Sequence, residues 1–318
     1  MDKKTIIPKP ILKWVGGKTQ ILHKLIESFP KNINNYHEIF LGGGSVLIAL
    51  LINIKQNNLK LNGNIYAYDL NSQLINMYIN IQLNHSELYD IIQILIKEYN
   101  ECAEPIESSE LEKKPRKIWN NLKDEDKTKS KEHYYYWIRQ KYNKMTEKEK
   151  NSVNGSAIFI FLNKTCFRGL FRMGANGFNV PYGNYKNPEI VNKEHLKQIH
   201  ELIQNVIFEC KDFNDSLDNV KTDDFVYLDP PYAPENKKSF VKYNSDGFDE
   251  ETHLQLFKKT KELNYINAKF VMSNADVSLV NDSFNDNDFN IEKIECRRAI
   301  NSKNPESKTM EVIINNFI

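Results

Sequence analysis

The chain has 318 residues, 27% of them charged and 40% hydrophobic, with a formal net charge of +1. That composition fits one large or two ordinary globular domains and excludes a disordered or globally basic chain, so a nucleic-acid surface has to be a local patch. Apolar runs fall short of the ~20 residues of a membrane span.

The first informative stretch is "PILKWVGGKTQIL" (10–22), with Lys13, Trp14, two glycines and Lys18 just ahead of a helix. Lys18 is a candidate to hold a carboxylate, such as that of methionine. "YHEIFL" (36–41) predicts a short buried strand, "GGGS" (42–45) a tight turn, and "SVLIALLIN" a helix with Ser45 at its N-cap. "NIYAYD" (64–69) is the next strand, which completes a strand–helix–strand unit of the doubly wound kind. Glycines let a ligand approach the backbone, and the helix N-terminus adds a positive dipole end. Asp69, at the next strand end, is placed to hydrogen-bond a ribose diol. A dinucleotide fingerprint fails at Leu47 and a P-loop fails at Leu12. S-adenosylmethionine, a cofactor without phosphates, therefore leads; a plain strand–helix turn is the structural alternative.

Residues 71–99 read as helical, and 100–132 as a polar, charged excursion with Pro105 and Pro115. "HYYYWIRQKYNKM" (133–145) is an aromatic and basic helix. Residues 154–188 follow, glycine-rich, with a hairpin turn expected at Asn176–Gly177. From Asn151 to Pro188 there are Lys164, Arg168, Arg172 and Lys186 and no acidic residue, interleaved with Phe161, Phe167, Phe171, Phe178, Tyr182 and Tyr185. Such a stretch can neutralise phosphates, read guanine edges or wedge into a base stack. Its alternative is a solvated basic face over an aromatic core.

Strands resume at 206–210, 224–229, 269–274, 289–296 and 309–317, with helices near 194–204 and 250–263. The expected architecture is thus an α/β sheet interrupted by an insertion, with 1–72 and 191–318 forming the sheet domain and 73–190 the inserted one.

"VYLDPPYAP" (226–234) ends a buried strand on an aspartate, two prolines and a tyrosine. An exocyclic amine is a poor nucleophile because its lone pair is delocalised. Acceptors on its hydrogens favour the nucleophilic form found in the transition state. Asp229 and the Pro230 carbonyl supply two such acceptors, with Pro231 holding the direction. Tyr232 offers a face for an extruded base. The alternative is a strand-ending turn over a buried tyrosine. Cys102, Cys166, Cys210 and Cys296 form no CxxC pair and no histidines cluster beside them, so reduced thiols in an intracellular protein without a metal are expected.

The order "KWVGGK", "FLGGG", "YAYDLN", "CKDF", "YLDPPY" resembles the Dam-type DNA adenine-N6 methyltransferases, the alpha (D12) class, from residue 10 to about 316. The resemblance implies a Rossmann-like S-adenosylmethionine-dependent fold with an inserted, mainly helical target-recognition domain bearing a β-hairpin. It implies cofactor roles for Trp14, Lys18, Phe40, Gly42, Gly43, Gly44, Asp69, Asp212 and Phe213, and catalytic roles for Asp229, Pro230, Pro231 and Tyr232. DNA contacts are implied for Lys13, Phe167, Arg168, Leu170, Arg172, Asn179 and Pro181. GATC methylases of this family often carry Asn where this chain has Arg168; "CFRGL" looks more like members acting on CATG. The expected activity is base-flipping methyl transfer to adenine N6 in a short palindrome of double-stranded DNA. Cytosine-N4 or RNA amino-methylation, and a DNA-binding module without turnover, are the alternatives. A cognate restriction endonuclease, and monomer against dimer, stay open.

Overall fold

The computed structural model describes residues 7–103, 119, 121–234, 248–284, 288–297 and 308–317; part of the charged 100–132 excursion lies outside them. In chain order the first elements are α1 (Leu22–Glu27), β1 (Asn32–Ile33), β2 (Tyr36–Glu38), α2 (Ser45–Lys55), β3 (Lys60–Leu61), β4 (Ile65–Asp69) and α3 (Ser72–Asn100). Next come α4 (Lys131–Lys144), α5 (Glu147–Lys150), α6 (Val153–Thr165), β5 (Met173–Gly174), β6 (Gly177–Phe178) and α7 (Lys193–Leu202). The last are β7 (Val206–Cys210), α8 (Phe213–Asp218), β8 (Phe225–Leu228), α9 (Glu250–Glu262), β9 (Lys269–Ala275), α10 (Ser278–Ser283), β10 (Asn290–Arg297) and β11 (Lys308–Asn315).

The chain divides into two compact units, Lys18–Leu70 with Asn205–Ile318, and Met1–Gly17 with Asn71–Gln204. The first holds a seven-stranded sheet in the order β10-β11-β9-β8-β2-β4-β7. The five strands from β9 to β7 are parallel, and β11 and β10 add antiparallel strands at one edge. Strands buried on both faces read as continuous apolar runs, and Phe225–Leu228 is buried at all four positions. Val226, Leu228, Phe270, Met272, Val312 and Ile314 line up across three neighbouring strands and pack on Leu256 and Phe257 of α9.

β2 lies between β4 and β8. Successive strands therefore run outward from β2 through β4 to β7 on one side and from β8 to β9 on the other, and the carboxyl ends of β2 and β8 stand side by side. Ligands of doubly wound sheets bind at such a switch point.

The second unit is mainly helical. α3 packs along α6 and α7, and β5 and β6 form a hairpin with Met173 opposite Phe178. The positive φ at this turn falls on Gly177, at 88°, and not on Asn176. A primed two-residue turn needs its first central residue left-handed. The expected Asn176–Gly177 turn is thus displaced by one residue: Gly174 pairs with Gly177 and the loop is Ala175–Asn176.

Two segments group differently from the sequence expectation: 1–17 and 191–204 belong with the helical unit. The reason is specific pairing. Asn163 of α6 accepts the Lys13 N–H through Oδ1 at 2.9 Å and donates through Nδ2 to the Lys13 carbonyl at 2.8 Å. His195 of α7 donates to the Lys9 carbonyl at 2.7 Å, and Gln82 of α3 donates to the Ile203 carbonyl at 2.7 Å.

Candidate active site

The glycine turn after β2 is built by its own backbone. Leu41 N–H donates to the Tyr68 carbonyl at 2.8 Å, and Gly44 N–H to the Leu41 carbonyl at 2.9 Å. Gly42 and Gly44 take φ of 49° and 70°, the left-handed region that a Cβ disfavours. Gly44, not Ser45, is the N-cap of α2. Ser45 is instead the first helical residue, and its Oγ accepts the Lys18 N–H at 3.4 Å.

Asp69 closes β4 and accepts the Gly42 N–H at 2.9 Å. In the sheet register it lies opposite Cys210, the last residue of β7. Asp212 follows and caps α8 by accepting the Asp215 N–H at 2.9 Å. The rings of Phe40 and Phe213 are 6.2 Å apart, and both meet Phe248, at 6.1 and 5.9 Å. Two carboxylates and an aromatic pair thus gather at the carboxyl ends of β2, β4 and β7. Carboxylates repel phosphate and suit hydroxyl and amino donors, so this donor set fits an adenosine group without a polyphosphate.

β8 ends at Leu228, one residue before the predicted end at Asp229, and Asp229 to Tyr232 form the tip. Lys18 is the surprise. Read as an anchor for a ligand carboxylate, it meets a carboxylate of the chain itself: its Nζ lies 2.7 Å from Asp229 Oδ1, with the two side chains 4% and 19% exposed. The same ammonium lies 4.8 Å from the centre of the Tyr232 ring. Burial pushes the Asp229 carboxyl above the usual carboxylate range, and the Lys18 ammonium works against that shift.

Three further polar groups surround the tip, and the sequence reading missed all of them. Glu38 of β2 is buried, pairs in register with Tyr227 and accepts the Tyr36 phenol at 2.8 Å. Burial raises its carboxyl to about 8, with the nearby Asp229 charge adding to the rise. A glutamate inside the apolar run "YHEIFL" was the signal. Asn274 of β9 accepts the Ala233 N–H at 3.1 Å and the Ala275 N–H at 2.8 Å. Glu311 of β11 accepts the Tyr232 phenol at 2.7 Å. No local pattern marks these last two, because they reach the tip only through strand order.

The DNA-contact candidates all lie in the helical unit. Lys13 stacks its ammonium 4.2 Å from the Tyr185 ring. Gly169 takes φ of 64°, and a Cβ there would fall 2.3 Å from the Lys13 Cβ. Arg168 is also left-handed, at 58°, and its N–H donates to the Tyr185 hydroxyl at 2.8 Å. Phe167 is 44% exposed, and its N–H donates to the Pro181 carbonyl at 2.8 Å. Leu170 is half-buried beside Cys166, whose thiol donates to the Leu170 carbonyl at 3.3 Å. Exposed Arg172 donates through Nε to the Asn179 side chain at 2.6 Å. Of the interleaved aromatics, Phe161 and Phe178 are core. Burial and the neighbouring Lys13 and Lys9 charges lower the Lys164 ammonium, which marks a crowding of cations here. Trp14, grouped with the cofactor residues from sequence, stands in this unit, stacked on Phe171 at 5.7 Å.

Known proteins resemble the chain along its whole length. It is 35% identical to the type II methyltransferase M.MjaIII of Methanocaldococcus jannaschii, covering 97% of this chain and 99% of that one. It is 30% identical to the type II methyltransferase M1.LlaDCHI of Lactococcus lactis subsp. cremoris, covering 100% and 98%. It is 27% identical to the DNA adenine methylase of Escherichia coli K12, covering 96% and 94%. Residues 14–300 match the family described as D12 class N6 adenine-specific DNA methyltransferase. The chain belongs to that family, whose members are adenine-specific DNA methyltransferases.

Proposed function

We propose that this enzyme uses S-adenosylmethionine to methylate N6 of an adenine extruded from a short palindrome in duplex DNA. The observation that carries the reading is the Asp229–Tyr232 tip, held by Lys18, one strand away from the glycine turn of β2. Phe40, Phe213, Asp69, Asp212 and the turn Gly42–Gly44 are the residues for the cofactor's adenosine part, with Trp14 assigned from the family resemblance. When bound, S-adenosylmethionine supplies an electrophilic methyl group.

The chain's own work is on the amine. The Asp229 carboxylate and the Pro230 carbonyl accept its two hydrogens and draw the lone pair out of the ring. Pro231 fixes the direction of that carbonyl. Tyr232 carries the extruded base on its face. Burial of Asp229 strengthens its hold on the proton that the amine loses, and the Lys18 ammonium works against that shift, favouring the ionised form.

The inserted helical unit is the recognition domain in this reading. Lys13, Phe167, Arg168, Leu170, Arg172, Asn179 and Pro181 supply phosphate and base contacts around the hairpin. The spelling "CFRGL" favours CATG over GATC as the target.

Incubation with labelled S-adenosylmethionine and duplex DNA, followed by nucleoside analysis and long-read mapping, tests the proposal. N6-methyladenine at one palindrome is expected. Label in cytosine N4, or in RNA only, would replace it, and no turnover with intact DNA binding would reduce the protein to a binding module.

A further inference from the structure

We propose that Glu311 is the positioning residue for Tyr232, setting the orientation of the ring through its phenol. The inference rests on the reading that Tyr232 carries the target base. A tyrosine at the tip of a strand, after two prolines, has its backbone constrained on the entry side only. Its ring still has to be held if a base is to stack on it in one place. Near-attack geometry is lost with displacements of about an ångström.

The sheet edge supplies what the tip lacks. The Tyr232 hydroxyl donates to Glu311 Oε2 at 2.7 Å, across 79 residues of sequence. Glu311 does not hang from a loop. Its Cα partners are Ile294 on β10 and Ala275 on β9, so it sits in the middle strand of the antiparallel edge. On the paired strand β10, burial and the Glu311 charge together raise the Cys296 thiol to about 11. One residue along β9 from the Glu311 partner, Asn274 takes the N–H of Ala233, the residue after Tyr232. Phenol and following amide are therefore both tied to the β9–β11 pair, while Lys18 lies 4.8 Å from the ring. Charge-assisted hydrogen bonds of this length are among the stronger and more directional ones. The antiparallel strands thus act on the chemistry without touching the substrate.

Steady-state kinetics on duplex DNA, with a double-mutant cycle, tests the proposal. Glu311→Ala lowers kcat about tenfold and leaves KM for DNA and cofactor within about twofold, as expected when an interaction of the transition state alone is lost. Glu311→Gln restores most of the rate, because its amide oxygen accepts the same hydrogen bond. In a Tyr232→Phe background, Glu311→Ala costs nothing more, because the donor is already gone. An equal drop in that background means that Glu311 acts by its charge on Asp229 and overturns the proposal, as does wild-type kcat in Glu311→Ala. If Glu311→Ala does not fold, Tyr232→Phe alone decides: it has to show the same drop in kcat, and full turnover overturns the inference. Full turnover in Tyr232→Ala instead removes the base-stacking reading beneath it.

Discussion

Replacing Lys18 by methionine removes one charge from a pair whose other half is poorly solvated. Lys18 Nζ and Asp229 Oδ1 are 2.7 Å apart, and the side chains are 4% and 19% exposed. Methionine keeps the apolar stem, so packing changes little. Breaking a buried pair by deleting one partner costs about 3–5 kcal/mol. The variant has one escape, protonation of Asp229. For a carboxyl with an ordinary value of about 3.9, that costs no more than about 4 kcal/mol at pH 7 and about 1.5 kcal/mol at pH 5. The direction follows from the site: burial already raises Asp229, and Lys18 is the group that opposes the shift. Without Lys18 the folded state binds this proton more tightly than the unfolded state does. The penalty therefore grows as pH rises above the ordinary carboxylate value.

Urea unfolding followed by circular dichroism at pH 5 and pH 7 measures it. Lys18→Met is expected to lose about 3–4 kcal/mol at pH 7 and under about 2 kcal/mol at pH 5. Adding Asp229→Asn returns most of the loss, because no buried charge is left. An equal penalty at both pH values refutes the reasoning. So does a double variant as unstable as Lys18→Met, since the cost then comes from packing and not from charge.

Asp229→Ala is expected to abolish turnover while duplex binding, read by fluorescence anisotropy, stays largely intact; loss of both assigns Asp229 a folding role. Glu38 has its carboxyl raised from 4.5 to about 8, so the folded state holds the extra proton across that window and stability falls as pH rises through it. Glu38→Gln removes this slope, and the difference in urea stability between pH 5.5 and pH 8 should shrink by about 3 kcal/mol; an unchanged slope speaks against the assignment. Arg172→Ala should cost about 1–3 kcal/mol and relax one position of the target if the guanidinium reads a base. Binding measured across single-base variants checks this, and uniform weakening means a phosphate contact.

Much of this protein can be read along the chain. β7 falls on 206–210 as the apolar run predicts, and α9 and α3 differ from their predicted bounds by only a residue or two. Buried strands and amphipathic helices carry their period in the local sequence, and that period needs no partner to be recognised. The glycine turn and the Asp-Pro-Pro-Tyr tip are equally local, because each is defined by backbone demands on adjacent residues. The Ser45 cap failed for one local and one distant reason. Gly44 reaches the left-handed region more easily, and the serine hydroxyl was taken by the Lys18 N–H.

What adjacent residues cannot express is which distant group completes a polar one. Nothing beside Lys18 in the chain shows that the fold seats its ammonium 2.7 Å from Asp229. Glu311 reads as one more charge on an edge strand until β11 is placed beside β9. The grouping of 1–17 with the helical unit likewise rests on distant partners, Asn163 for both backbone groups of Lys13 and His195 for the Lys9 carbonyl. Sequence by itself determined most of the elements and the family, and marked the strand tip, because those follow from local period and contiguous motif. Tertiary structure alone decided the partners of Lys18 and Tyr232, because a buried charge or phenol is satisfied through space, by whichever segment the topology brings alongside.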